Sequence, residues 1–172
     1  TILVDENPAF GGSLLNAPRE IDGRPASAWV QAAVAELSRA PHVTLLSRAT
    51  VTGYYDHNLV TVVERVSDHL PPPVPSLPRQ RLWRIRAGAV VLATGASERP
   101  LTFADNDRPG IMLASAVGAY LHRYGVACGR RAVIITNNDS AYGLALELVG
   151  AGVDVAALAD LRAVIGCDAV VV

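Results

Sequence analysis

The sequence contains no lysine: all 15 of its cationic residues are arginine, set against 16 carboxylates for a formal net charge of -1. That balance excludes a strongly basic face, so neither nucleic acid nor an anionic membrane is an expected partner. Arginine suits phosphate recognition, but a general bias toward Arg and Ala accounts for the preference without any ligand. Long apolar runs are also missing. None reaches the ~18 residues that span a bilayer, and no basic segment precedes an apolar one at the start as in a secretory signal. Cysteine is scarce. Cys128 and Cys167 match neither a disulfide framework nor a zinc pattern, and neither has the close partner that thiol exchange needs. The 4 histidines are scattered, with no paired spacing and no acid cluster beside them, so no metal is expected.

What is present is a chain of 172 residues, 51% apolar and 18% charged, enough for a packed core in one domain or parts of two. It opens on a short apolar strand, Thr1 to Val4, followed by Asp5 and Glu6, and it closes on another apolar stretch, Val164 to Val172. Chain ends normally lie at the surface. A sequence that opens in a strand of buried character, on Thr rather than Met, reads as a fragment.

The pattern in between is α/β. Asn7 to Ser13 is a loop by its Pro and Gly content. A helix is predicted over Ala26 to Ala40, started by Pro25 and stopped by Pro41, with Ala26, Trp29, Val30, Ala33, Val34 and Leu37 as one apolar stripe. Val43 to Leu46 reads as a short strand. Thr50 to Tyr55, Leu59 to Val66 and Arg79 to Arg86 read as a β-meander at about 48–86, with Asp56-His57-Asn58 as one turn and the Pro-rich stretch Pro71 to Pro78 as a stiff connector. Ala89 to Gly95 is a continuous apolar run, the pattern of a buried parallel strand. Further on come a helix from Leu113 to Tyr124, a strand from Arg131 to Thr136, a helix from Ala141 to Val149 and a strand from Val153 ending at Asp160. The last three form one βαβ unit. Gly118 and Gly143 fall inside helices, where each costs roughly 1 kcal/mol relative to Ala. The domain division predicted from this order is 1–127 and 128–172, each part of a nucleotide-type domain.

In a dinucleotide-binding βαβ unit a glycine turn holds the pyrophosphate, and a carboxylate at the end of the second strand accepts the ribose hydroxyls. Glu6 stands where that carboxylate belongs, with Asp5 beside it; the glycine turn would then lie upstream of residue 1. An acidic loop after a strand is the plain alternative. The second βαβ unit has the right spacing from Thr136 to Asp160, but Thr136 and Asn138 stand where the first two glycines would permit close approach of a phosphate. Asn138 or Asp139 can instead cap the helix. This unit reads as keeping the fold without a secure dinucleotide site.

Glu6, Gly11-Gly12, Gly53-Tyr54-Tyr55-Asp56, Arg79 to Trp83, Ala93-Thr94-Gly95-Ala96, Glu98-Arg99-Pro100, Asn106 to Gly110 and Thr136 to Tyr142 occur in this order. With them the chain resembles the α subunit of heterotetrameric sarcosine oxidase over essentially its whole length. The runs Asn106 to Gly110 and Asn137 to Tyr142 are the most specific. The resemblance implies an incomplete, glutathione-reductase-like fold of two Rossmann-type dinucleotide domains with a small β-meander insertion. It implies a bacterial, cytoplasmic oxidoreductase that demethylates sarcosine to glycine, with NAD or FAD in the first domain. FMN and FAD belong to the complete complex, whose other members are smaller accessory subunits and a β subunit. It assigns Glu6, with Asp5, to the ribose, Gly11 and Gly12 to a loop near the dinucleotide, and Thr94 and Gly95 to a strand end against the cofactor. It assigns no catalytic residue to this segment, so the fragment alone is expected to be inactive. Related α-type subunits of proline or cyanide-forming glycine dehydrogenases, and a non-catalytic scaffold for subunit contacts, are the alternative readings.

Overall fold

A computed structural model of the chain describes residues 1–71 and 76–163. The predicted terminal strand and part of the Pro-rich connector lie outside these residues. The described chain divides into two units, one of Thr1–Leu14 and Arg19–Gly95, the other of Leu15–Pro18 and the chain from Ala96 onward.

In the first unit, β1 (Ile2–Val4) pairs in parallel with β4 (Thr44–Leu46). A small antiparallel pair, β2 (Glu20–Ile21) and β3 (Arg24–Pro25), leads into α1 (Ala26–Arg39). Helix α1 ends where Ala40 turns extended ahead of Pro41, as the steric demand of a proline requires. Its stripe is only partly covered. Ala26 and Val30 are buried, whereas Trp29 and Leu37, expected inside, are exposed. The parallel sheet this helix joins has two strands, too few to cover the full stripe.

The meander is as read from the sequence: β5 (Ala49–Tyr55), β6 (Leu59–Arg65) and β7 (Gln80–Arg86) form one antiparallel sheet. Alternation sends Val60 and Val62 of β6 into a core with Leu46 and Ala49, against which Val4, Trp83, Ile85 and Val90 pack. The Glu64 carboxylate receives both Trp83 Nε1, at 2.7 Å, and Arg81, at 3.0 Å. At Gly53 the register shifts, and the Tyr55 ring lies directly over its α-carbon. A methyl group there collides with that ring. Tyr55 is 55% exposed, so its ring swings aside: Gly53→Ala is expected to change the stability of the first unit by no more than about 0.5 kcal/mol, as urea unfolding checks.

Ala89 to Gly95 is not a strand: it pairs with none among the described residues, and Val91 and Leu92 are 88% and 78% exposed. A run of that composition needs a neighbour on each side to form a buried ladder. The break between units also falls near residue 95 rather than after 127. The reason is packing. Helix α2 (Ala114–Tyr124) presses Ala114, Val117 and Leu121 onto the core of the second unit, formed by Ile134, Ala141, Leu144, Leu148 and Val153. That core sits between β8 (Arg131–Thr136) and β9 (Asp154–Asp160), which are parallel, and α3 (Ser140–Gly150), which joins them. His122 of α2 and Glu147 of α3 meet at 2.8 Å. The βαβ unit is thus present as predicted, with α2 added to it.

Candidate functional site

Ligands of open parallel sheets gather beyond the carboxyl ends of the strands. At the carboxyl end of β1 the backbone is held firmly. Asp5 N donates to Leu46 O at 2.9 Å, and Asp5 O accepts from Ala49 N at 2.9 Å. The Asp5 carboxylate turns back on its own loop: its Oδ1 accepts from the backbone N of Asn7 at 2.9 Å and from the Asn7 amide at 3.0 Å. This local side-chain turn fixes the path of the chain. Glu6 follows on the surface, its carbonyl held by Arg65 Nη2 at 3.1 Å. Its carboxylate makes no hydrogen bond or ion pair among the described residues, so a fixed backbone presents a free acid at a strand end.

Gly11 and Gly12 adopt φ of 131° and 52°, conformations that favour glycine, and Leu14 N bonds back to Gly11 O at 3.1 Å. Thr94 is exposed and Gly95 has φ 70°. Val90, a few residues earlier, packs on the core that Val4 also joins. No described contact links Thr94 or Gly95 to Glu6. The site residues read from the sequence therefore share the first unit; Asp5 and Glu6 form one fixed corner, and no described contact brings Gly11, Gly12, Thr94 or Gly95 to it. A concavity of about 330 Å³ elsewhere in the unit, lined by Asp22, Arg24, Trp29, Ala32, Ala33 and Glu36, contains none of these residues.

The equivalent corner of the second unit is filled. The Asp160 side chain, at the end of β9, is only 2% exposed. Arg162 grips it, with Nε 3.0 Å from Oδ1 and Nη2 2.6 Å from Oδ2, while Tyr142 donates its hydroxyl to Oδ2 at 3.0 Å. The same Arg162 Nη2 reaches Asp139 at the start of α3, at 2.6 Å. Thr136 is buried and exchanges hydrogen bonds with Asn138; Asp139 stands at the N-cap of α3 without a side-chain bond to it, and Asn138 Oδ1, one residue earlier, accepts from Ser140 N at 3.0 Å. The ribose-type acid here is committed to an internal ion cluster. Sequence reasoning missed Arg162; its place two residues past a strand-end acid was the available signal.

The Arg162 hydrogen bonds hold the Asp160 carboxyl far below the usual carboxylate range, and Asp160 with Asp139 raises the Arg162 guanidinium above its ordinary value. Hydrogen bonds from Gln80 and Arg79 also lower Asp68. A carboxylate depressed on folding contributes stability above its unfolded pKa of about 3.9 and loses it as pH falls toward the folded value. Thermal stability is thus expected to drop on acidification below about pH 4. Asp160→Asn should melt lower at pH 7 and show a flatter acid limb, as read by differential scanning fluorimetry across pH.

Among the described residues no group of His, Cys, Asp and Glu could hold a metal ion, and no helix is long and apolar enough to cross a membrane. The fold has a solved counterpart: the L-proline dehydrogenase of P. horikoshii aligns with 97% of this chain and 32% of its own, at TM-score 0.70 and 23% identity. That likeness is one of fold: a mixed α/β chain with parallel strand pairs. The sequence comparison is more particular. The chain is 52% identical over 167 residues to the sarcosine oxidase α subunit of Rhizobium meliloti, and 50% identical over 170 residues to that of Corynebacterium strain P-1. The resemblance read from the sequence is thus shown at about half identity over nearly the whole chain. An opine oxidase subunit of Agrobacterium tumefaciens is 30% identical over 164 residues. The chain spans 17% and 18% of the two sarcosine oxidase subunits it matches. No protein-family model matches it.

Proposed function

We propose that this chain is a segment of an α subunit of sarcosine-oxidase type, in which its first unit supplies one wall of an adenine-dinucleotide site. The free, backbone-fixed carboxylate of Glu6 at the end of a parallel strand carries the reading. Its two carboxylate oxygens accept the two hydroxyls of a ribose, a pairing that a donor-only cationic side chain could not make. Asp5 does not touch the ribose; it holds the loop that aims Glu6. Gly11 and Gly12 let the chain pass close to the dinucleotide without side chains, and Thr94 and Gly95 offer it an exposed stretch of irregular backbone.

These residues fit NAD or FAD, since both share the adenosine ribose. When bound, such a group supplies hydride or electron transfer; the residues here bind and orient it and move no proton. The second unit, its acid held by Arg162, serves as framework. The whole protein is a bacterial cytoplasmic oxidoreductase taking part in demethylation of sarcosine to glycine. FMN and FAD are carried by the complete complex, and its partners there are smaller subunits together with a β subunit. Amine contacts lie outside this segment. Likeness to an L-proline dehydrogenase favours proline as a second substrate reading, but half identity to sarcosine oxidase α subunits weighs more. Amine-dependent peroxide formation by the assembled full-length complex tests it: sarcosine is expected to be oxidised in preference to proline, and the reverse order would overturn the substrate assignment.

A further inference from the structure

The three-stranded sheet has a second face, turned away from the core. Because Val60, Val62, Trp83 and Ile85 point inward, the pleat places Leu59, Thr61 and Val63 of β6 and Leu82, Arg84 and Arg86 of β7 on the other side. The register sets Leu59 between Tyr55 and Arg86, and Val63 beside Leu82. Tyr55 and Leu82 are 55% and 61% exposed. Thr52 and Thr61 join hydroxyls at 3.1 Å between these two apolar rungs.

The charge on this face is of one sign. The sheet's carboxylate, Glu64, is engaged by Arg81 and Trp83. Arg84 makes no ion pair or hydrogen bond among the described residues, and Arg86 gives one bond, at 3.3 Å, to the carbonyl of His57. Exposed aromatic and aliphatic groups beside unpaired arginines have the composition of an interface centre rather than of a solvated face.

We propose that this face docks a partner subunit, through a segment that sets carboxylates against Arg84 and Arg86 and apolar side chains against Tyr55 and Leu82. Charge chooses the occupant. A second copy in two-fold contact would bring arginine against arginine, and the apolar rungs do not suit a polyanion. The inference rests on the multi-subunit reading above, and it adds the surface and the chemistry of its complement.

The experiment uses the full-length α chain co-expressed with its complex. Leu82→p-benzoylphenylalanine is irradiated and the adduct identified by mass spectrometry. Separately, Arg84→Glu/Arg86→Glu is compared with wild type for assembly across a salt series. A cross-link to another subunit is expected, with assembly weakened about tenfold or more at low salt and the melting of the α chain unchanged. An adduct within the α chain, no adduct, undiminished assembly or a lowered α-chain melting point would overturn the proposal. A full-length protein that purifies as one chain would overturn the multi-subunit reading as well; assembly without the cross-link would remove the docking face alone.

Discussion

Leu148→Ala is expected to remove about 2–5 kcal/mol of stability, the range for a truncated core leucine. Leu148 is 3% exposed and lies at the meeting point of α3 with Ile134, Leu144 and Val153, under the cover of Val117 and Leu121 from α2. Its backbone carbonyl accepts the Val153 N–H at 2.9 Å, a bond that the truncation leaves in place. The deleted methyl groups leave a cavity that two helices and a sheet cannot all close. Val149→Ala is the control: its side chain is 59% exposed, and truncation should change stability by no more than about 0.5 kcal/mol. Urea unfolding of the full-length protein followed by circular dichroism separates the two. Equal effects would mean that the core is not where this packing puts it.

Glu6→Ala should leave folding untouched and weaken dinucleotide retention by about 1–3 kcal/mol, the scale of a lost hydrogen bond to a charged group. Folding is spared because Glu6 is exposed and only its backbone carbonyl is bonded. Asp5→Ala has a different expected signature. It removes the two bonds that shape the loop through Asn7, so both loop stability and retention should fall. Equilibrium dialysis of the full-length α chain, paired with a melting curve, distinguishes an acid that binds from one that positions.

Much of this was legible in the sequence because it is written in local pattern. The β-branched runs of the meander, the helix-stopping Pro41 and the strand–loop–helix–strand order from Arg131 to Asp160 each carry their own signal. What failed was what depends on distant neighbours. Val91 and Leu92 have the composition of a buried strand, yet burial needs flanking strands that composition does not report. Trp29 and Leu37 continue a helical stripe, but the width of the covering sheet is set elsewhere. Helix α2 joined the second unit because of Val117 and Leu121 meeting residues 134 to 153, a long-range choice. For the site, the strand-end position of Glu6 was readable from order alone. The locking of Asp160 by Arg162, and the turning of Asp5 onto Asn7, depend on rotamers that spacing does not determine.

In the proposed site a ribose hydroxyl of the dinucleotide donates a hydrogen bond to Glu6. Binding of an adenine dinucleotide and of its analogue lacking the adenosine-ribose hydroxyls, each to the wild-type full-length α chain and to Glu6→Ala, measures that bond as a coupling. Wild type is expected to prefer the natural ligand about tenfold or more, and Glu6→Ala to lose most of that preference. An equal preference in both proteins would place the ribose contact on some other residue.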